Sequence, residues 1–284
     1  MKAKPIISLM ILFVLSLSAN LIGEEDYLSI KERHRVRADD NLIVLIDVDA
    51  GNITLASGSI KNEAVISGKI NERFDRVNIG YDERQNELSI SLDRRNWVKS
   101  MSRDGASYLN IQLPENVVIE LRSKVKGGVL DFSVGRLKIA SFEMKNFAGE
   151  VFIDFDKPNP VKMDFLDIDV KIGRTELRNL GNARFVEANI NGGIGELSID
   201  LSGANVQQSR VDIDLYIGST EITLPRDIGV KIRSSSMGFL STSNLEAVLN
   251  REGRYYYSKN YDQATRTMLL SIRTGIGDLR IDFR

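Results

Sequence analysis

A short glycine-containing unit recurs along the chain, and each copy leads into a run of alternating apolar and polar residues. The clearest copies are Gly173–Leu177, Gly193–Leu197, Gly218–Ile222 and Gly275–Leu279. Most copies carry an acidic residue shortly after the glycine. In successive copies this position is Val129, where the acid is missing, and then Glu150, Glu176, Glu196 and Glu221, with spacings of 21, 26, 20 and 25 residues. A period of this length predicts an array of small stacked units, each long enough for two short strands and two turns.

Glycine-rich runs such as Gly192–Gly195 also occur in phosphate-binding loops, where a helix follows the glycines and its N-terminus faces the phosphate. Here Leu197–Leu201 follows, and its alternation is that of a strand. Glycine at a tight strand corner, where φ can be positive or two backbones approach closely, explains every copy. The predicted corner glycines are Gly51, Gly128, Gly149, Gly173, Gly195, Gly218 and Gly277.

Alternation with a period of two residues extends through most of the chain, for example in Leu88–Leu92, Val211–Leu215 and Ile228–Ile232. This pattern is typical of half-buried strands, and helical spacing is scarce outside a short stretch near Leu245–Leu249. The sequence therefore predicts an all-β, single-domain β-solenoid of stacked two-strand rungs. We assign residues 41–284 to the solenoid, with the clearest rungs in 127–232, and residues 20–40 to an N-terminal cap or linker.

The N-terminus has the pattern of a secretory signal peptide. Lys2 and Lys4 precede an apolar run over Ile6–Leu15, and small residues follow it up to Ala19. The run is short for a bilayer span, so we predict a signal helix in residues 1–19 that is cleaved near Ser18 or Ala19. The alternative is an anchor that is retained. Cleavage would place the protein in the periplasm or on the cell surface, peripheral to a membrane at most.

The composition leaves little room for catalysis or for a cofactor. There is no cysteine and a single histidine, His34, so thiolate chemistry is excluded and a catalytic triad or histidine-rich zinc site would have to use that one residue. Asp47–Asn52 begins like a calcium loop, but Asn52 and Gly58 stand where the EF-hand needs glycine and glutamate. We predict no cofactor, no metal site and no enzyme activity; a pair of carboxylates acting as a glycan hydrolase is the alternative.

Two segments interrupt the repeat and are the candidates for binding a partner. The first contains the only tryptophan among cations, and its candidate residues are Arg94, Arg95, Trp97, Lys99 and Arg103. The second is rich in tyrosine, and its candidates are Tyr255, Tyr256, Tyr257 and Tyr261. Aromatic residues beside cations suit recognition of a protein or a glycan, although alternation predicts that one or two of the tyrosine rings face the core.

The repeated units, with "LYIGSTEITLPRDIGVKI" at 215–232 and the closing "GIGDLRIDF" at 275–283, resemble the bacterial toast-rack β-solenoid proteins. These include adhesin-like domain proteins and the C-terminal domain of LiaF-like proteins of the cell-wall-active antibiotics response. The resemblance extends from about Leu42 to the C-terminus. It implies a non-enzymatic envelope protein connected with adhesion or with sensing envelope stress.

The expected partner is therefore an envelope protein or a surface polysaccharide. Nucleic acid is not expected, because the 36 basic and 39 acidic side chains that remain after loss of Lys2 and Lys4 are nearly balanced. Edge-to-edge self-association is a further expectation wherever a terminal rung is left uncapped.

Overall fold

A computed structural model describes residues 27–95, 106–236 and 241–284. The predicted signal helix and the candidate residues Trp97, Lys99 and Arg103 lie outside these described residues. None of the helices within them is long and apolar enough to cross a bilayer.

The described residues form 17 strands, one short α-helix and two 3-10 helices. The strands are β1 (Tyr27–Arg35), β2 (Leu42–Val48), β3 (Gly51–Gly58), β4 (Glu63–Asn71), β5 (Asp75–Asp82), β6 (Glu87–Arg94), β7 (Tyr108–Pro114), β8 (Val118–Ser133), β9 (Lys138–Asp154), β10 (Met163–Arg178), β11 (Phe185–Asp200), β12 (Gln208–Leu224), β13 (Gly229–Ser236), β14 (Ser241–Ser243), β15 (Asn250–Glu252), β16 (Tyr255–Tyr257) and β17 (Thr267–Phe283). The helices are α1 (Leu245–Val248) and the 3-10 turns Leu180–Ala183 and Tyr261–Gln263.

Six long parallel strands, β8 to β12 and β17, form the centre of the molecule and stack in register. Each has 16 or 17 residues and bends at one glycine, so that one strand supplies two arms of a rung. Alternate side chains of both arms point inward into one apolar core. Phe132 from one arm stacks on Phe142 from the other, with ring centroids 6.2 Å apart, so the arms pack face to face.

The predicted all-β solenoid is confirmed, and the structure refines the form of its rung. The two predicted strands of each rung are one continuous strand with a corner. All seven predicted corner glycines lie side by side in one column, from Gly51 on β3 to Gly277 on β17. Six of them, from Gly128 onward, have φ between 130° and 144°, a region that residues with a Cβ rarely adopt.

The acidic residues predict the right range for the length of the repeat but not its individual steps, because those residues do not occupy one position of the rung. Glu150 and Glu196 share one position of the rung, because both pair with Arg174 on β10. Glu176 lies two residues further along β10 and pairs with Ser198. The register of Gly128, Gly149, Gly173, Gly195 and Gly218 instead gives steps of 21, 24, 22 and 23 residues. Outward-facing acids can shift by two residues and remain on the same face, whereas the backbone of the corner requires glycine at one position.

The chain does not stack its last rungs in sequence order. The C-terminal strand β17 lies between β12 and the rung made by β13 and β14. Short antiparallel strands, β16 and then β15, continue one arm outward beyond β13. Past the last residue paired with β14, Leu279, the edge of β17 is closed by the side-chain amide of Asn244, which bonds both backbone groups of Ile281 at 2.7 and 2.8 Å.

The opposite end is also closed by antiparallel strands. Strands β2 and β3 pair with the two arms of β8, and β6 and β7 pair with β2 and β3 in turn. Beyond them β5 covers β6, while β4 and β1 cover β7. Residues from Tyr27 to Pro114 thus supply the strands at this end of the solenoid.

Candidate functional site at the C-terminal cap

The tyrosine-rich segment folds back on the last rung as a short hairpin. Strand β15 turns at Gly253, where φ is 63°, and β16 then pairs antiparallel with β13. Tyr256 lies beside the inward-facing Ile232 and packs against the core, whereas Tyr257 lies beside Lys231 on the outer face. Alternation thus divides the tyrosines between the core and the surface, as the sequence pattern predicts.

Three tyrosine rings surround one lysine on this outer face. The Lys231 Nζ lies 4.2 Å from the ring centroid of Tyr255 and 5.4 Å from that of Tyr257. Tyr257 also meets Tyr261 edge to face, with centroids 5.1 Å apart and ring planes at 71°. We call Tyr255, Tyr257, Tyr261 and Lys231 the tyrosine–lysine surface.

The rings and the cation stabilise each other. An ammonium over an aromatic face is attracted by the quadrupole of the ring, and edge-to-face rings pack favourably. A hydrogen bond with Tyr257 and the neighbouring phenols raise the pKa of Lys231 above its usual value, so the side chain stays protonated at neutral pH. The three rings are half-buried, which leaves part of each ring accessible while its position is fixed.

One cleft includes a residue of the tyrosine–lysine surface, and a second is lined by residues that directly follow Tyr257 in the chain. One, of about 370 Å³, is lined by Tyr261 together with Gln208, Arg210 and Leu269 from the outer faces of β12 and β17. The other, of about 430 Å³, is lined by Lys259 and Asn260 together with Arg226 and the end of β17. Both volumes are in the range of small-ligand sites. The segment from Ser258 to Tyr261 thus contributes residues to both clefts; Arg210 lines the first, and Arg226, Lys259 and Asp282 line the second.

Of the first candidate segment, the structure places Arg94 and Arg95. The assignment of Arg94 to a binding surface is wrong, because its guanidinium is buried in a two-pronged ion pair with Asp75 at 2.8 and 3.0 Å. The Ser107 hydroxyl donates a further hydrogen bond of 2.6 Å to Asp75. Arg95 is exposed, and its backbone N–H donates a hydrogen bond to the carbonyl of Phe74. Arg94 and Arg95 lie at the opposite end of the solenoid from the tyrosine-rich segment.

Sequence reasoning missed two features of the surface. Lys231 belongs to a strand with unremarkable alternation, and only pairing with β16 brings it under the tyrosines. The second feature is a row of half-exposed isoleucines, one before each corner glycine of four consecutive rungs: Ile172, Ile194, Ile217 and Ile276. The recurrence of isoleucine immediately before the glycine of these copies was the available signal for this row.

Carboxylates also come together on the outer face of the long strands. Glu143 on β9 lies beside Asp167 on β10. The pKa of Asp167 is raised above its usual value, mainly because the carboxyl group is partly buried and secondly because the Glu143 carboxylate is close to it. The charge of Lys145 lowers this pKa, and that of Asp169 raises it further. Among residues 27–95, 106–236 and 241–284 there is no group of three or more acidic or histidine residues that could hold a metal ion.

A carboxyl group whose pKa is raised by folding destabilises the folded state once it ionises. This loss of stability is present at pH values above the pKa of the group in the folded state. It disappears at pH values below the pKa of the group in the unfolded state, which is near 4. Asp167→Asn is therefore expected to be more stable than the wild type at pH 7, with the difference shrinking as the pH falls to 4. Urea unfolding at both pH values measures this. Asp164→Asn, at an exposed site on the same strand, is the control, and a pH-independent difference for Asp167→Asn would contradict the assignment.

Comparison with known proteins identifies the family. The family model described as "N-terminal domain of toast_rack, DUF2154" matches residues 22–165, which is 144 of the 284 residues. A second model, "Cell wall-active antibiotics response LiaF, C-terminal", matches residues 171–281. The chain belongs to the toast-rack family, with a LiaF-like C-terminal half. Both descriptions agree with the resemblance seen in the sequence, and they fit a scaffold associated with the cell envelope.

Several solved structures are similar to this chain at low sequence identity. A "putative cell adhesion protein" from Clostridium sporogenes is 14% identical with a TM-score of 0.45, covering 90% of this chain and 100% of that one. A "putative adhesin" from Bacteroides fragilis is 12% identical with a TM-score of 0.41, covering 90% and 97%. Another from Parabacteroides merdae is 11% identical with a TM-score of 0.38, covering 92% and 98%. A search of curated proteins gave no match.

Proposed function

We propose that this protein is a secreted, non-catalytic scaffold of the bacterial envelope that binds a surface polysaccharide through the tyrosine–lysine surface. The observation that carries the proposal is the arrangement of Tyr255, Tyr257 and Tyr261 around Lys231 on the outer face of the terminal rungs. Secretion rests on the predicted signal peptide. A link to envelope-stress sensing rests on the match of residues 171–281 to the LiaF-like family.

Tyrosine suits this task because its ring is large, rigid and amphipathic. The apolar face can pack against the C–H face of a sugar ring while the phenol hydroxyl exchanges hydrogen bonds with sugar hydroxyls. The cleft beside Tyr261 extends the surface, and the cleft beside Lys259 and Asn260 lies on the same segment of the chain, so a chain of several sugar units has room for contacts beyond the rings. An extended ligand is therefore favoured over a single small molecule.

The solenoid supports such a surface by holding it rigid. Tyr255 and Tyr257 stand on a strand that is paired on both sides, and Tyr256 between them is anchored against the core. A binding surface on paired strands loses little conformational freedom when a ligand is bound, which preserves affinity.

The experiment measures binding of the full mature chain to insoluble cell-wall polysaccharide by co-sedimentation. We expect Tyr255→Ala combined with Tyr257→Ala to weaken binding about tenfold or more, since two central aromatic contacts are removed. Tyr216→Ala is the matched control, because Tyr216 is 68% exposed, lies at the corner of β12 and makes no ring contact with the tyrosine–lysine surface.

The outcomes separate the proposed function from its rivals. Equal binding by the double variant and the wild type would overturn the role of the tyrosines. Release of soluble fragments from the polysaccharide would instead support the hydrolase alternative, for which Glu143 and Asp167 would be the first residues to replace. Capture of an envelope protein, lost in the double variant while polysaccharide is not bound, would support a protein partner in place of the polysaccharide.

A further inference from the structure

We infer that the polysaccharide bound at the tyrosine–lysine surface is anionic, carrying carboxylate or phosphate groups along its length. The inference rests on the proposed function and adds to it the chemical class of the ligand.

The segment that forms the C-terminal cap carries a net positive charge, whereas the chain as a whole carries a net negative charge. Residues 225–266 contain seven Lys and Arg (226, 231, 233, 251, 254, 259 and 266) and four Asp and Glu (227, 246, 252 and 262), a net charge of +3. The whole chain has a net charge of −1, so the remaining residues sum to −4. A local excess of this size concentrates anions at one end of the molecule.

Several of these cations have no acidic partner. Within the described part of the chain, Lys231, Arg233, Arg254 and Lys259 form no ion pair. The lysines along the corner differ, since Lys126, Lys145 and Lys171 are paired with Asp49, Glu143 and Asp169 respectively. The unpaired cations of the cap therefore remain available to an external anion, whereas the corner lysines are already neutralised.

The cations are spread along the cap around the aromatic segment. Lys231 sits among the rings, and Arg254 directly precedes Tyr255 on the hairpin. Lys259 and Arg226 line the larger cleft together with Asp282, whose carboxylate is paired with Arg280. Arg210 lines the smaller cleft beside Tyr261 and reaches Asp212 only at 3.9 Å. A polymer that carries one negative charge on each repeating unit can therefore meet several cations while its sugar rings pack on the tyrosines.

The test compares three soluble polymers of similar length by titration against the full mature chain: polygalacturonate, a polyol phosphate polymer and neutral dextran. We expect the wild type to bind at least one anionic polymer about tenfold or more tightly than dextran. Binding should weaken as the salt concentration rises from 50 to 500 mM, because exposed charges are screened. Arg254→Gln combined with Lys259→Gln should remove most of this preference.

Lys145→Gln is the matched control, since it removes an exposed cation that is already paired with Glu143 and lies along the corner. Preference for polygalacturonate identifies carboxylates, and preference for the polyol phosphate identifies phosphates; both support the inference. Equal binding of dextran and the anionic polymers, unchanged in the Arg254/Lys259 variant, would overturn it while leaving the proposed function intact. Failure of every polymer and of cell-wall polysaccharide would overturn the proposed function itself.

Discussion

Replacing Gly195 with alanine is expected to lower the free energy of unfolding by about 3 to 5 kcal/mol, from backbone strain and from overpacking together. Gly195 has a φ of 144°, and a Cβ built on it lies 1.8 Å from the carbonyl oxygen of Gly173 in the neighbouring rung. Neither the backbone of Gly173 nor that of Gly195 can move without disturbing the rungs stacked on both sides. Chemical denaturation monitored by circular dichroism measures the loss.

Two other glycines separate the causes of this effect. Gly253 also has a positive φ, 63°, but nothing lies within 4 Å of its Cβ position, so Gly253→Ala should cost only about 1 to 2 kcal/mol. Gly127 has no positive φ and an ordinary contact of 3.8 Å, so Gly127→Ala should stay within about 0.5 kcal/mol of the wild type. If Gly195→Ala behaved like Gly127→Ala, the glycine column would not be what shapes the corner.

Replacing Arg94 with methionine is expected to cost about 3 to 5 kcal/mol, because it leaves the buried carboxylate of Asp75 without its counter-charge. The side chain of Asp75 is fully buried and that of Arg94 is 9% exposed. Among the described residues, Ser107 is the other side-chain donor to Asp75, and a single hydroxyl cannot replace a cation. The loss is measured by the same denaturation experiment.

A second substitution tests whether the cost comes from the charge rather than from lost packing. Adding Asp75→Asn to Arg94→Met removes the buried charge, so the double variant should regain a large part of the stability lost in the single variant. Arg95→Met changes the exposed neighbour and should stay within about 0.5 kcal/mol of the wild type. No recovery in the double variant would indicate that the Arg94 stem contributes mainly by packing.

The outcome for Arg94 shows why the candidate sites were harder to predict than the fold. A run of cations around a tryptophan has the composition of a binding loop, and composition does not report which cation faces inward. Asp75 lies on the other strand of the β5–β6 hairpin and is paired directly with Arg94. Because both side chains are buried, the Arg94 guanidinium stabilises the fold and is not available to a partner. The tyrosine segment was more predictable, because alternation alone separates Tyr256 from Tyr255 and Tyr257.

The order of the rungs was equally hidden from the sequence. Gly218 and Gly277 carry successive copies of the corner, and the long stretch between them marks an excursion of the chain. The sequence does not show that the excursion forms the outermost rung and that β17 returns to lie between it and β12. This placement covers the edge of β12 with a full-length strand and leaves the short strands and Asn244 to close the end.

The sequence by itself determined the all-β class, the inward and outward faces of the strands and the glycine at each corner, because these follow from side-chain alternation and from backbone conformation within a few residues. Only the tertiary structure decided which rungs are neighbours, that Arg94 is buried against Asp75, and that Lys231 lies among three tyrosines. Those arrangements depend on contacts between residues far apart in the chain, and many pairings are compatible with the same local pattern until the whole core is packed.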